Sequence, residues 1–256
     1  MAELFSNTDD GRVKGFTSTW AGTRDANTGQ TVATAEAASS NFTAVNTFSG
    51  RGGGTTFRVE RSFMYFDTSG ITGTVASARF EIVGSSGDDG SVIAVKSNAF
   101  GGDGGTALST GDFDAMPGWT DGASQASNVT TYSEAFESTS GTWNVSSQNN
   151  LTATSDLLAD MKNNDVVIVC FLDYTNDYLN VTPSSAGTTN LGARFFEASS
   201  AGQRPRIDFT LATGYTHTVL GVAAANIGKV NTVATANIGK VNTVATANIG
   251  KINSLD

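Results

Sequence analysis

One cysteine and one histidine occur in the 256 residues. A lone thiol cannot close a disulfide within the chain. Cys170 stands inside the apolar run Val166-Val167-Ile168-Val169-Cys170-Phe171-Leu172, where a cysteine behaves as a small buried hydrophobe, so an inert thiol is expected. His217 is the only imidazole and falls at a boundary in the sequence pattern. A Ser-His-Asp or Cys-His arrangement would need that base held on a rigid scaffold. A single Cys with a single His also leaves too few ligands for a zinc centre. Lys and Arg number 15 against 24 Asp and Glu, a formal net charge of -9. That balance excludes recognition of nucleic acid through its phosphates and attraction to an anionic membrane. No apolar stretch reaches the about 18 residues of a spanning helix, and Met1-Ala2-Glu3-Leu4-Phe5-Ser6 lacks the basic and apolar regions of a secretion signal. Neither membrane insertion nor secretion by signal peptide is expected, and no cofactor is implied.

What is plentiful is the vocabulary of strands and turns. From about Phe16 to Leu211, short runs of β-branched and aromatic residues are punctuated by Gly, Asn, Asp and Ser, which predicts an all-β, jelly-roll-like antiparallel sandwich. Strands are expected over 57–67, 76–84, 92–97, 129–137, 165–172, 179–182, 193–198 and 206–211. In Arg61-Ser62-Phe63-Met64-Tyr65-Phe66-Asp67, Phe63 and Tyr65 share one face of a layer expected to be half exposed to water. The run 165–172 is apolar on both faces and reads as central. One helix is predicted at Ser155-Asp156-Leu157-Leu158-Ala159-Asp160-Met161-Lys162, with acids in its first turn.

After Ala212 the pattern changes. Asn226-Ile227-Gly228-Lys229-Val230-Asn231-Thr232-Val233-Ala234-Thr235-Ala236 returns almost unaltered from Asn237, and a third copy starts at Asn248. Residues 1–212 therefore read as one domain and 213–256 as a repeat tail. Copies of 11 residues cannot each close a core, so they must stack on one another, on other subunits or on a repeated partner. Ile227, Val230, Ile238, Val241, Ile249 and Ile252 are the expected buried assembly contacts, with Lys229, Lys240 and Lys251 at equivalent places in successive copies. Two conformations fit. The three-and-four spacing of apolar residues suits a helix with an 11-residue stripe, whereas the Gly, Asn, Thr and Val content favours short extended pieces, as in a β-shaft. The extended form is the preferred expectation.

Chemistry has few places to sit. Asp88 with Asp89, Asp112 with Asp114, and Asp173 with Asp177 could supply an acid and a base for glycoside cleavage if a cleft set their separation. Carboxylates in Gly- and Ser-rich loops more often cap turns. Asp173-Tyr174-Thr175-Asn176-Asp177 is the best calcium candidate, without the alternating acids of a calcium loop. Trp119, Tyr174 and Tyr178 are candidate glycan contacts because they fall in expected loops, set against the core role that large rings usually take.

Two stretches carry a resemblance. Val59-Glu60-Arg61-Ser62-Phe63-Met64-Tyr65-Phe66-Asp67-Thr68-Ser69-Gly70-Ile71 with Ala76-Ser77-Ala78-Arg79-Phe80-Glu81-Ile82, and then Phe195-Phe196-Glu197-Ala198-Ser199-Ser200-Ala201-Gly202-Gln203-Arg204-Pro205-Arg206-Ile207-Asp208-Phe209, resemble the opening and closing strands of DNRLRE-type β-sandwich modules of surface and secreted proteins. The tail is similar to the Ile-x-Lys-Val-Asn-Gly-Val arrays at the ends of tailed-bacteriophage virion proteins, with Thr232 and Thr243 where glycine is usual. These resemblances imply a jelly-roll used for binding or display and a virion structural protein, made in the host without a signal peptide and placed on the particle surface. Expected partners are other copies of the chain, as in a trimer, or other virion proteins. A carbohydrate-binding adhesin contacting surface glycans and a glycan-degrading enzyme are the competing expectations.

Overall fold

The computed structural model describes residues 2–34, 40–49, 54–87, 90–137, 142–184, 188–198 and 200–212, together with 229–230, 233–234, 240–241 and 244–245 of the tail. In the domain, strands β1 (Ala2–Phe5), β2 (Gly11–Thr17), β3 (Thr31–Thr34), β4 (Ser40–Ser49), β5 (Thr55–Asp67), β6 (Val75–Gly87), β7 (Ser91–Lys96), β8 (Phe136–Glu137), β9 (Gln148–Thr152), β10 (Val166–Leu172), β11 (Thr188–Ala193) and β12 (Arg206–Leu211) are joined by helices α1 (Trp20–Arg24) and α2 (Ser155–Asn163). The described pairings are all antiparallel. The chain is all-β and sandwich-like, as its alternation predicts.

Two long strands organise it. β5 pairs β2 along one edge, while its other edge takes β4 at Thr55 to Glu60 and β10 at Ser62 to Asp67. β6 takes β12 and then β11 on one edge and β9 on the other. β11 pairs both β4 and β6, so one layer turns into the other as a single curled sheet. The turn needs glycine: the register shifts on either side of Gly192, where a Cβ would lie 2.1 Å from the Ser86 hydroxyl. A bulge of this kind bends a strand at a barrel or sandwich corner.

Strand parity then divides the interior. Met64 and Phe66 of β5 and Val167, Val169 and Phe171 of β10 meet Phe80, Ile82, Ile207 and Phe209 of the opposite layer, closed at one end by Leu157 and Met161 of α2. α2 begins at the N-cap Thr154 and carries Asp156 in its first turn and Lys162 in its last, which complements its dipole. The alternate residues Phe63, Tyr65, Ile168, Cys170 and Leu172 form a second core with Val13, Phe100, Phe113, Met116, Val129 and Tyr178. The outer face of β5 is therefore not half exposed to water, as expected from sequence; α1 and the loops from Ala99 to Val129 roof it. β10 is central and buried on both faces, as its sequence indicates.

Other expectations shift. The predicted strand 129–137 shrinks to β8 plus isolated bridges at Thr131 and Ser133. The segment 179–182 is not extended: Asn180 has φ 58° and its side-chain oxygen accepts the Trp20 indole N–H at 2.9 Å. The strand placed at 193–198 lies earlier, at β11. Among the described residues, no helix is long and apolar enough to cross a membrane.

Candidate functional site

The tail shows one motif twice. β13 (Lys229–Val230) pairs antiparallel with β14 (Val233–Ala234), matching Lys229 with Ala234 and Val230 with Val233. β15 (Lys240–Val241) pairs with β16 (Val244–Ala245), matching Lys240 with Ala245 and Val241 with Val244. The second hairpin is the first moved 11 residues along the chain. Two residues separate the strands in each, a length that antiparallel hairpins favour. The described tail residues are thus extended. Val230, Val241, Lys229 and Lys240 belong to these strands, whereas Ile227, Ile238, Ile249, Ile252 and Lys251 lie outside the described residues, as do His217, Asp88 and Asp89. Val233 and Val244 close the repeated Val-Asn-Thr-Val, which the sequence marks as a short extended piece, although neither is among the expected assembly contacts.

In the sandwich domain, the singled-out aromatics and acids gather beneath the loop roof. Asp177 is fully buried and receives two bonds from Arg61, Nε to Oδ2 at 2.8 Å and Nη2 to Oδ1 at 2.7 Å. Two further Arg61 donors reach the carbonyls of Phe113 at 2.7 Å and Arg24 at 2.8 Å. Burial pulls Arg61 down, yet the paired carboxylate outweighs it and the guanidinium is held above its usual range. Arg24, also fully buried, donates to the backbone oxygens of Asp177 at 2.7 Å and Ala123 at 2.8 Å and bonds the Asp25 carboxylate. Both guanidiniums lie over the Trp119 ring, at 4.5 Å for Arg24 and 4.3 Å for Arg61. Trp119 is half-buried, and its indole N–H has no partner among the described residues.

Tyr174 and Tyr178 stack with centroids 5.6 Å apart, Tyr178 in the core and Tyr174 half-buried against it. They belong to a wide helical turn, Tyr174–Tyr178, capped by Asp173, whose carboxylate accepts the Asn176 N–H at 2.6 Å. Burial pushes Asp173 up to about 6, opposed by that backbone bond and reinforced by neighbouring Asp177. Of the weak calcium pair, then, one member is bound by arginine and the other caps a turn. Among the described residues, no three Cys, His, Asp or Glu side chains gather where they could hold a metal ion. Asp112 closes a reciprocal cap with Ser109, and Asp114 is raised by burial while Arg61 draws it the other way. Cys170 is fully buried, which pushes its thiol well above the ordinary value.

Arg24 and Arg61 are the residues that sequence reasoning overlooked here. Arg61 occupies an inward position of β5, in phase with Phe63 and Tyr65. A charge in phase with core aromatics is itself a signal, because a buried guanidinium needs a carboxylate. No protein-family model matches the chain, and no curated protein matches it.

Proposed function

We propose that this chain is a non-enzymatic structural protein of a virion. Its sandwich is displayed on the particle surface, as a capsid decoration or a head or tail fibre, and its C-terminal repeats hold it there by self-association or by docking on other virion proteins. The observation that carries the reading is the recurrence of one hairpin in one register at an interval of 11 residues. A lone two-stranded hairpin is marginal in water. Identical units in tandem gain stability by stacking against like units, each adding a nearest-neighbour contact. A trimer would bring three such arrays together, with Val230 and Val241 in its interior and Lys229 and Lys240 recurring along it. The virion assignment rests further on the likeness of the tail to phage arrays, and display on the likeness of the domain to DNRLRE-type modules.

Mass in solution, by light scattering or sedimentation, tests the reading with the full chain and with one lacking 226–256. The full chain is expected to be a closed oligomer and the shortened one a folded monomer. Equal masses would remove self-association through the tail.

A further inference from the structure

A cleft of about 560 Å³ opens between the end of β7 and the junction of α2 with β10. This is within the size range of small-ligand sites. Its walls are fixed by the fold: the Ser97 N–H bonds the Ile168 carbonyl at 3.0 Å, and the Thr68 hydroxyl holds the Asn164 carbonyl at 2.6 Å. Among the lining residues, the Lys96 ammonium and the Tyr132 hydroxyl converge on one oxygen of Asp160, at 2.8 and 2.5 Å. Burial would raise Asp160, but these bonds prevail and keep it ionised below the usual range. Lys96 is therefore neutralised in place, with its other two protons available.

The rim is formed by exposed Asn98, Asp103, Asn164 and Asp165. Asp103 accepts only the Gly105 N–H, at 2.8 Å, and the Asp165 carboxylate and Asn98 amide take no partner among the described residues. The lining thus offers carboxylate acceptors beside ammonium and amide donors, alternating over a short distance. Phosphate, nucleic acid and acidic sugars are disfavoured, because the only cation is already paired and two further carboxylates face the opening. The apolar lining comes from Val166, Ile168 and the Tyr132 ring, set among polar groups, which suits a ligand of mixed polar and apolar faces better than a lipid chain. A polyol donates and accepts at neighbouring positions and carries apolar C–H faces between its hydroxyls, so it matches this lining.

We propose that this cleft binds a neutral saccharide unit, with sugar hydroxyls donating to Asp103 and Asp165 and accepting from Lys96 and Asn98. The site is separate from Trp119, Tyr174 and Tyr178 and independent of how the tail assembles. It gives a displayed sandwich a chemical reason to face a glycan-coated surface.

The test uses the full chain on an array of neutral hexose- and N-acetylhexosamine-terminated oligosaccharides beside sialylated and uronic-acid ones. Binding to at least one neutral glycan is expected. Asp165→Ala and Asn98→Ala should each weaken it about tenfold or more, as loss of a hydrogen bond to a charged or amide group does. Both side chains are exposed, so the thermal midpoint of each variant should stay at the parent's value. Binding confined to acidic glycans, binding lost in Trp119→Ala but kept in Asp165→Ala with Asn98→Ala, or no neutral glycan bound at all would each overturn the proposal.

Discussion

The two faces of β5 and β10 are closed in opposite ways. On one, strand meets strand: Met64, Phe66, Val169 and Phe171 pack on Phe80, Ile207 and Phe209, apolar groups alone. On the other, Phe63, Tyr65, Ile168 and Leu172 are covered by α1, short helical turns and loops. Beneath these loops lie Arg24, Arg61 and Asp177, all fully buried. Loops carry backbone groups that no ladder satisfies, and a buried carbonyl left alone is costly. Here the guanidiniums reach the carbonyls of Phe113, Arg24, Ala123 and Asp177. The sheet satisfies most of its backbone through its ladders and takes a few neutral side-chain donors, as from Ser62 to the Phe42 carbonyl, whereas the irregular lid depends on buried guanidiniums.

The largest effect should come from removing that donor. Arg61→Ala strips both side-chain hydrogen bonds from the buried Asp177 carboxylate and leaves it Arg24, whose Nε lies 3.8 Å from Oδ1, a loss of about 3–5 kcal/mol for a buried pair broken on one side. Leu157→Ala in the strand-packed half is expected to lose about 2–5 kcal/mol, which is similar in size but different in distribution. Limited proteolysis should cut Arg61→Ala first between Ala99 and Val129, with the sheet intact, while Leu157→Ala should show no preference for that segment. Cleavage patterns that coincide would erase the distinction between the faces.

A second contrast concerns pH. Asp173 caps the turn that supports Tyr178, and burial raises it to about 6. A carboxyl with a raised folded value binds its proton more tightly in the native state, so the contribution of Asp173 to stability is greatest below about pH 4, falls as pH climbs to about 6, and is level above that. The gap of about two pH units corresponds to on the order of 3 kcal/mol. Asp173→Asn keeps an acceptor for the Asn176 N–H and does not ionise. Its thermal midpoint should exceed the parent's by a margin that widens from pH 4 to 6 and then stays constant. Asp10, pushed up to about 8 by burial with the Ser6 hydroxyl and Phe196 N–H opposing, titrates in both proteins and cancels from the difference. A margin independent of pH would mean that Asp173 is not protonated in the fold.

Much of the strand-packed half was legible. β12 occupies Arg206–Leu211 as expected, β10 and α2 fall within a residue of their predicted limits, and the two-sided apolar run marks the central strand. β4, in Ser40–Ser49, was missed because Asn46 interrupts the phase of Phe42, Ala44 and Phe48 and the apolar Val45 falls on the opposite phase. β1 is four residues long and largely exposed, leaving little apolar pattern to find. The roof was less legible for a different reason. Arg61 and Asp177 are 116 residues apart, and no local rule pairs a guanidinium with a carboxylate over such a distance. The cleft is similar, since Lys96, Tyr132, Asp160 and Asp165 converge only after three segments fold together. In the tail the period could be read directly; its three-and-four spacing also fits a helix, but the Gly, Asn, Thr and Val content favours extended pieces, and the described tail residues are extended.

The smallest effect is expected at the seam between the two halves. The segment from Val129 to Tyr132 leaves the roofed core and enters the strand-packed one, and Thr154 ties it to α2. The Thr154 hydroxyl donates to the Thr131 carbonyl at 2.6 Å and accepts the Leu157 N–H at 3.5 Å. The second contact is long, so the cap should contribute toward the lower end of the usual range and the bond to Thr131 should account for most of the effect. Thr154→Ala removes both, and about 1 kcal/mol is expected, a fall of roughly 2–4 °C in the melting midpoint of a chain this size. Thr154→Ser restores the hydroxyl without the methyl and should recover most of the loss. If Thr154→Ser melts as low as Thr154→Ala, the methyl group's packing is responsible, and the seam is held by apolar contact like the sheet core instead of by a borrowed donor like the roof.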